Sequence, residues 1–178
     1  MRKYLMPDFM FEKFTEVTPE FLSKIGVRAL IIDVDNTLVT YDDAEPPEEV
    51  KLWLSALKDA GISAALVSNN THERITVFNR SLGLHAYPNS KKPSKKPILA
   101  AMAAMGSSPE DTAILGDQLL TDVFAGKRLG LRAIVVPPIK DKKTLFFRLK
   151  RLLERPYIRR YQRKFRQNKL TNNERNGI

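Results

Sequence analysis

Four short apolar runs, each rich in branched residues, constrain the fold more than any other feature of the sequence. They lie at 27–33 (VRALIID), 62–67, 112–115 and 132–136, and each is bounded by polar or turn-forming residues. Such runs are typical of strands that are buried on both faces of a sheet. A fifth, very short strand is predicted at 85–87.

Segments with a helical spacing of apolar residues separate these runs. We predict helices at 48–60, 72–82, 94–105 and 119–129, and each of them is followed directly by a glycine, a common helix stop. Strands that alternate with helices imply a parallel sheet covered by helices on both faces. The predicted fold class is therefore α/β, a Rossmann-like three-layer sandwich with a central parallel sheet.

Polar side chains follow three of the predicted strands. Asp33 ends the first strand and Asp35 comes soon after it, Ser68 and Asn69 follow the second, and Asp117 follows the strand near residue 114. Ordinary turn chemistry also places such residues after strands. Three clusters at the carboxyl edge of one parallel sheet, however, indicate a ligand site, because ligands bind there in open α/β sheets.

These residue types permit phosphate chemistry. Asp33 and Asp35 place two carboxylates close together beside a buried strand. Their burial costs free energy unless a cation or hydrogen bonds compensate for it. Mg²⁺ prefers carboxylate oxygens and phosphate, and Asp117 can supply a further oxygen. Lys92 can neutralise phosphate charge, and Ser68 can donate to a phosphoryl oxygen. One carboxylate can attack phosphorus while another carboxyl group acts as acid and then as base.

Four segments resemble, in order, the motifs of the haloacid dehalogenase (HAD) superfamily. They are DVDNTLV at 33–39, Ser68 after an apolar strand, Lys92-Pro93, and GDQLLTD at 116–122. The resemblance covers about residues 27–136 and implies the HAD-like fold. The acid at position 35 favours a phosphatase over the dehalogenases of the superfamily, where the resemblance implies no such acid.

The resemblance also implies roles for the matching residues. Asp33 would be the nucleophile and a metal ligand, and Asp35 would be the acid and base, with its backbone carbonyl on the metal. Asp117 would complete the protein ligands of Mg²⁺. Asp122 would orient the motif lysine or bind a water on the metal, and Thr37 would support the same site.

The phosphoryl group of the substrate would be held by Ser68, Asn69 and Lys92. Three neighbouring lysines compete for the role of Lys92. Lys92 is preferred because a proline follows it and because Ile98 lies where the family's helix is apolar. The others fit a solvated basic loop; they are Lys91, Lys95 and Lys96.

The connections between motifs are too short for a cap domain. About eight residues (40–47) follow the first motif, and 23 residues separate Ser68 from Lys92. A closer resemblance, which rests on DxDNTL, Lys-Pro and GDQLLTDV, is to the YqeG type of the capless subfamily IIIA. That branch is similar to a mitochondrial phosphatidylglycerophosphate phosphatase. The resemblance therefore implies the conversion of phosphatidylglycerophosphate into phosphatidylglycerol.

The carboxyl-terminal part of the chain is strongly basic. Residues 140–178 carry 14 basic and 3 acidic side chains, a net charge of +11. We predict three parts: an amino-terminal amphipathic segment (1–26), a phosphatase core (27–139) and a basic helical extension (140–178) with a disordered end. The extension should attract polyanions. An anionic membrane surface is the preferred partner; RNA phosphates or a merely solvated tail are the alternatives.

Other readings of function stay open at this point. The substrate of the phosphatase is either an anionic phospholipid headgroup or a soluble metabolite or phosphorylated macromolecule. A basic RNA- or ribosome-associated protein with secondary phosphatase activity is a third hypothesis. The chain has no cysteine and no apolar run of the length that spans a bilayer. We therefore expect it in the cytoplasm, either free or peripheral on the inner face of the membrane.

The first residues admit two alternatives. Large apolar side chains recur every three to four positions between Leu5 and Leu22. They suit either an amphipathic helix that lies on lipid or a segment that packs on the domain. Pro7 and Pro19 limit any single helix there.

Overall fold

The computed structural model describes residues 2–140 and 152–163. Six parallel strands form one sheet in the order β1-β6-β5-β2-β3-β4. The sequence-based prediction of a parallel α/β sheet is confirmed. The strands are β1 (Phe9–Met10), β2 (Ala29–Ile32), β3 (Ser63–Val67), β4 (His85–Tyr87), β5 (Thr112–Gly116) and β6 (Arg132–Val135).

Helices cover both faces of the sheet. They are α1 (Pro19–Lys24), α2 (Glu48–Asp59), α3 (His72–Asn79), α4 (Lys96–Met105), α5 (Phe124–Lys127) and α6 (152–163). Short 3₁₀ turns lie at Arg2–Leu5 and Phe14–Glu16, and a π-helical turn, Leu119–Val123, leads directly into α5.

Alternate residues of the buried strands enter two separate cores. In β2, Leu30 and Ile32 pack in the core under α1, α2 and α3, whereas Ile31 packs in the core under α4 and α5. Tyr157 and Ile158 of α6 pack against this second core. Successive side chains of a strand point to opposite faces of the sheet. Because every residue of β2 is apolar, helices must cover the sheet on both faces at this strand. The result is the predicted three-layer sandwich.

The amino-terminal residues add to this domain. Phe9 and Met10 pair with Ile134 and Val135, which makes β1 an edge strand. Sequence patterning does not predict it, because two residues are too few to show a period. Of the two alternatives for this stretch, packing on the domain is the one found, since Val17 and other apolar side chains there are buried. The division of the chain at 26 and 139 stays a prediction.

Three predicted helices differ from the structure by more than one residue. The helix predicted at 72–82 ends at Asn79. The helix predicted at 94–105 begins at Lys96, and the one predicted at 119–129 is a π-helical turn followed by the short α5. Val123 N donates to Gln118 O at 3.3 Å, and the Asp122 carboxylate accepts a hydrogen bond from Gln118 N at 3.2 Å, so side chain and backbone both close this wide turn. Such π turns are frequent at functional sites.

No cap domain interrupts the described core. Residues 40–47 form a loop, and only α3 and β4 lie between Ser68 and Lys92. Within the described residues, no helix is both long and apolar enough to cross a membrane. The predicted disordered end after Lys169 falls outside the described residues, as does the segment 141–151 of the predicted extension.

Candidate active site

The strand order explains why three polar clusters meet. β2 lies between β5 and β3, and all three run in the same direction. Their next residues are therefore neighbours at one edge: Asp117 after β5, Asp33 after β2, and Ser68 after β3. Asp33, Ser68 and Asp117 are all buried, with 6%, 2% and 2% of their surface exposed. The structure thus brings together the residues that the sequence places after separate strands.

Asp33 is held from two sides. Lys92 Nζ donates to Asp33 Oδ1 at 2.7 Å, and Thr37 Oγ1 donates to Asp33 Oδ2 at 3.3 Å. Its backbone N–H donates to Leu115 O of the neighbouring strand at 2.9 Å. Thr37, which the sequence places four residues later, reaches back because the chain turns sharply at Asn36, whose φ is 68°. The first motif is therefore a compact cradle around one carboxylate.

Lys92 is the only one of the four neighbouring lysines that is buried, since Lys91 and Lys96 are exposed and Lys95 is half-buried. Its ammonium lies 2.7 Å from Asp33 Oδ1 and 2.7 Å from Asp122 Oδ1, and it donates to Val67 O at 2.6 Å. Lys92 thus links the first and fourth motifs through one cation.

Asn69 fixes Lys92 from the side. Its Oδ1 accepts from Lys92 N at 2.6 Å, and its Nδ2 donates to Lys92 O at 3.3 Å. Both ends of the Asn69 amide are therefore engaged by the backbone of Lys92, although the residue also lines the cavity. Asn69 thus positions the backbone of Lys92, and the substrate contact expected from the sequence stays a prediction.

Ser68 lies at the carboxyl end of β3 beside the same cavity. Its Oγ accepts a hydrogen bond from Asn70 N at 3.1 Å, and its backbone carbonyl accepts from Ser90 N at 3.0 Å. The hydroxyl proton of Ser68 has no acceptor among these contacts. Ser68 can therefore donate to an oxygen that enters the cavity.

Asp35 has a different environment. Arg74 donates from Nε and Nη2 to Asp35 Oδ1 at 3.2 and 3.0 Å, and Asn70 Nδ2 donates to Asp35 Oδ2 at 2.8 Å. Arg74 also donates to the backbone carbonyls of Thr40 and Asp43. Arg74 therefore ties the carboxylate of Asp35 to the loop that follows the first motif.

Three carboxylates form a cluster that suits a cation. Asp33, Asp117 and Asp122 each place an oxygen within 4.8 Å of the others, and all three residues are buried. Asp122 Oδ1 also has an ion pair with Lys92 at 2.7 Å. Three buried carboxylates that converge in this way fit a hard cation such as Mg²⁺. The side chain of Asp35 is outside this cluster; its expected contact is through the backbone carbonyl and stays a prediction.

The clustered charges shift two pKa values. Burial, together with the charges of Asp122 and Asp117, raises the pKa of Asp33 to about 7, although Lys92 opposes this shift. Burial alone would lower the pKa of Lys92, but Asp122 and Asp33 outweigh it and raise that pKa above its usual value. The lysine is therefore a permanent cation, and the metal-free nucleophile candidate is partly protonated near neutral pH.

An open cavity of about 230 Å³ leads to these groups. Its lining includes Asp33, Asp35, Ser68, Lys92 and Asp122, and it also includes four residues to which the sequence analysis assigned no role. They are Tyr41, Asn70, Gln118 and Thr121. This volume is below the roughly 300–1,000 Å³ of pockets that enclose a small ligand. The cavity fits a phosphoryl group, and the rest of a substrate must lie outside it.

Sequence reasoning also missed Arg74. Its position gives one usable clue: Thr71 caps α3 by accepting from Arg74 N at 3.3 Å, so Arg74 lies in the first turn of the helix that starts at this edge. His72, one of the two histidines, lies nearby but is exposed and does not line the cavity.

The fold and this set of site residues are those of a class of hydrolases, and comparison with known proteins gives the same class. The haloacid dehalogenase-like hydrolase family matches residues 7–130. The chain belongs to this family and is one of its phosphatases. It is 34% identical to the "Probable phosphatase YqeG" of Bacillus subtilis, across 92% of this chain and 95% of that protein.

Two more distant likenesses add to this. The chain is 22% identical to phosphatidylglycerophosphate phosphatase 1 of Arabidopsis thaliana, over 92% of this chain but only half of that protein. The fold resembles the cobalt-bound deoxy-D-mannose-octulosonate 8-phosphate phosphatase of Haemophilus influenzae, with a TM-score of 0.52, 18% identity, and coverage of 71% of this chain and 75% of that one. This structural likeness concerns the fold alone.

Proposed function

We propose that this protein is a Mg²⁺-dependent phosphomonoester hydrolase that works through a phosphorylated Asp33. One observation carries the proposal: a buried carboxylate, Asp33, is held by Lys92 at the base of an open cavity, 2.7 Å from its ammonium. Asp117 and Asp122 lie beside it and form with it the carboxylate cluster.

In the first half of the reaction, an Asp33 carboxylate oxygen attacks phosphorus and the bond from phosphorus to the ester oxygen breaks. Asp35 gives its proton to the departing alcohol. Lys92 and the Ser68 hydroxyl stabilise the charge on the phosphoryl oxygens. Asn69 keeps Lys92 in place through its two hydrogen bonds to the lysine backbone.

Mg²⁺ would be held by Asp33, Asp117 and the backbone carbonyl of Asp35, with Asp122 nearby, and would supply Lewis-acid stabilisation of the transferring phosphoryl group. Asp122 also faces Lys92 at 2.7 Å. It therefore orients the lysine that neutralises the phosphate. Thr37 fixes the second oxygen of Asp33, at 3.3 Å.

In the second half, water attacks phosphorus and passes its proton to Asp35. The bond between phosphorus and the Asp33 oxygen breaks, so inorganic phosphate leaves and the Asp33 carboxylate is restored. Asp35 must thus exchange a proton twice in each cycle. Its carboxylate already has three donors, from Arg74 and Asn70. Arg74 and Asn70 therefore position the Asp35 carboxyl group for both proton transfers.

The proposed substrate is phosphatidylglycerophosphate, which would be converted into phosphatidylglycerol at the inner face of the membrane. The small open cavity supports a phosphate carried on a large group that stays outside, because no cap domain covers the site in the described residues. The similarity to the Arabidopsis phosphatidylglycerophosphate phosphatase supports the same substrate class.

The test is phosphate release from vesicles that contain phosphatidylglycerophosphate, with Mg²⁺ and after its removal by EDTA. We expect release only with Mg²⁺, and none from Asp33→Asn. A matched control is Asp59→Asn, at an exposed aspartate at the end of α2, which should leave the rate unchanged. High turnover of a soluble phosphate ester with none of the lipid would overturn the substrate proposal but leave the phosphatase mechanism.

A further inference from the structure

One face of helix α6 packs against the domain. The residues on this face recur at helical spacing; they are Glu154, Tyr157, Ile158 and Tyr161. Tyr157 and Ile158 pack on the core beneath α4 and α5, and the Tyr161 hydroxyl donates to Asp8 O at 3.3 Å. Glu154 is only 1% exposed. The two tyrosines of α6, which could otherwise contact lipid or RNA, are therefore engaged by the domain.

The opposite face of α6 is basic. We call it the arginine face; it consists of Leu152, Leu153, Arg155, Arg159, Arg160 and Arg163, all exposed. The two leucines are 57% and 55% exposed. The only acidic residue of α6, Glu154, is buried on the other side. Within the described part of the chain, none of the four arginines has an ion pair, and most of the arginine face lines a shallow groove of about 500 Å³.

Helix α6 is connected to the candidate active site. A Glu154 carboxylate oxygen accepts from Leu120 N at 3.1 Å. Leu120 belongs to the π-helical turn that carries Asp122, and its neighbour Thr121 lines the active-site cavity together with Gln118. The first turn of α6 is thus anchored to a turn that forms part of the cavity wall.

We propose that the arginine face docks on an anionic lipid bilayer and presents headgroup phosphates to the cavity. The proposal deepens the proposed function and rests on it. Arginines attract anionic headgroups, and exposed leucines gain from burial at the boundary with the acyl chains. Single-stranded nucleic acid is recognised by stacking on aromatic side chains, and the tyrosines of α6 face inward. The composition of this face therefore favours lipid over RNA.

The docking test uses the full chain and sedimentation with vesicles. One set contains phosphatidylcholine alone, and the other adds phosphatidylglycerol. The variant replaces Arg155, Arg159, Arg160 and Arg163 by Gln. The matched control removes the same charge from exposed positions in the layer formed by α1 to α3 and its loops, as K13Q/K24Q/K58Q/R80Q.

We expect wild type to bind the anionic vesicles and not the neutral ones. Each arginine near an anionic surface contributes roughly a fivefold gain in affinity. The arginine-face variant should therefore bind at least about 100-fold more weakly, and the control should bind nearly as wild type. Replacing Leu152 and Leu153 by Ser should weaken binding with the charge unchanged. Turnover of p-nitrophenyl phosphate should stay at the wild-type level in all of these variants.

Equal loss of vesicle binding by the arginine-face variant and the control would overturn the proposal, because net charge alone would then explain it. Tighter wild-type binding to an RNA oligonucleotide than to the anionic vesicles at the same salt concentration would also overturn it. The proposed function has a separate failure: vesicle binding through the arginine face, with no phosphate released from any lipid, would refute the lipid phosphatase and leave the docking surface.

Discussion

Asp122 packs directly against Gly116, where there is no room for a Cβ atom, so Gly116→Ala tests whether the position of Asp122 matters. A Cβ at residue 116 would lie 2.4 Å from Asp122 Cγ and 2.6 Å from Asp122 Oδ2, whereas ordinary contacts begin at 3.4 Å. The carboxylate must therefore retreat by about 1 Å to reach an ordinary contact distance. The substitution introduces no left-handed backbone strain, because Gly116 does not have a positive φ.

In the wild-type protein, Asp122 Oδ1 lies 2.7 Å from the Lys92 ammonium. A displacement of this size breaks that contact. A misplacement of about 1 Å can cost roughly 100-fold in rate, so we expect kcat to fall by about that factor. The control is Gly126→Ala, whose Cβ would meet Ile114 Cγ2 at the same 2.4 Å, in the core and away from the cavity. Overpacking there should cost about 1–3 kcal/mol of unfolding free energy without changing kcat of the folded protein.

The assay is steady-state phosphate release from p-nitrophenyl phosphate with Mg²⁺, paired with urea unfolding of each variant. A third protein, Asp122→Gly, closes a double-mutant cycle with Gly116→Ala, because it removes both the carboxylate and the Asp122 Cβ, which would lie 2.6 Å from the new methyl group. If Gly116→Ala acts through Asp122, adding it to Asp122→Gly should cost no further activity. A folded Gly116→Ala with kcat within about threefold of wild type, or an equal loss in Gly126→Ala, would show that the position of Asp122 does not control turnover.

Three further predictions follow from the contacts in the site. Lys92→Met should abolish turnover and lower the unfolding free energy of the metal-free protein by about 3–5 kcal/mol, because it removes the buried cation that lies between the carboxyl groups of Asp33 and Asp122. Urea unfolding in EDTA checks this, and unchanged stability would contradict it. Arg74→Ala should slow hydrolysis of an alkyl phosphate roughly 100-fold but that of p-nitrophenyl phosphate much less, since a good leaving group needs little help from Asp35; equal losses on both substrates would indicate a merely structural arginine. In the metal-free protein the pKa of Asp33, about 7, exceeds its ordinary value of 3.8. The folded state then binds more protons than the unfolded state between these values, so the contribution of Asp33 to stability falls as pH rises through that range. Thermal unfolding in EDTA should show this fall relative to Asp33→Asn, and parallel pH profiles for the two proteins would contradict it.

The sequence predicts the parts of the site that local pattern determines. Asp33, Ser68 and Asp117 each follow a recognisable strand, and the parallel order then makes them neighbours. The choice of Lys92 among four lysines relied on Pro93 and Ile98, and the structure gives an independent reason, because Lys92 alone of them is buried.

Long-range contacts escape such reasoning. Arg74 contacts Asp35 across 39 positions of the chain, and Asn69 contacts Lys92 across 23. Their geometry depends on how α3 and the loop after β4 are placed, which no local period records. The same holds for β1, whose two residues gain their conformation from pairing with β6. For α6, the sequence indicates a basic amphipathic helix, but only tertiary packing shows that its tyrosines face inward.

The mechanism requires that Asp33 carries the phosphoryl group during turnover, which rapid acid quench followed by peptide mass spectrometry can detect. During steady-state hydrolysis with Mg²⁺, we expect one phosphoryl group on the peptide that contains Asp33, labile to hydroxylamine as an acyl phosphate is. Asp33→Asn should show neither the modification nor turnover. Undiminished hydrolysis by Asp33→Asn, or a phosphoryl group on another residue, would mean that Asp33 is not the nucleophile.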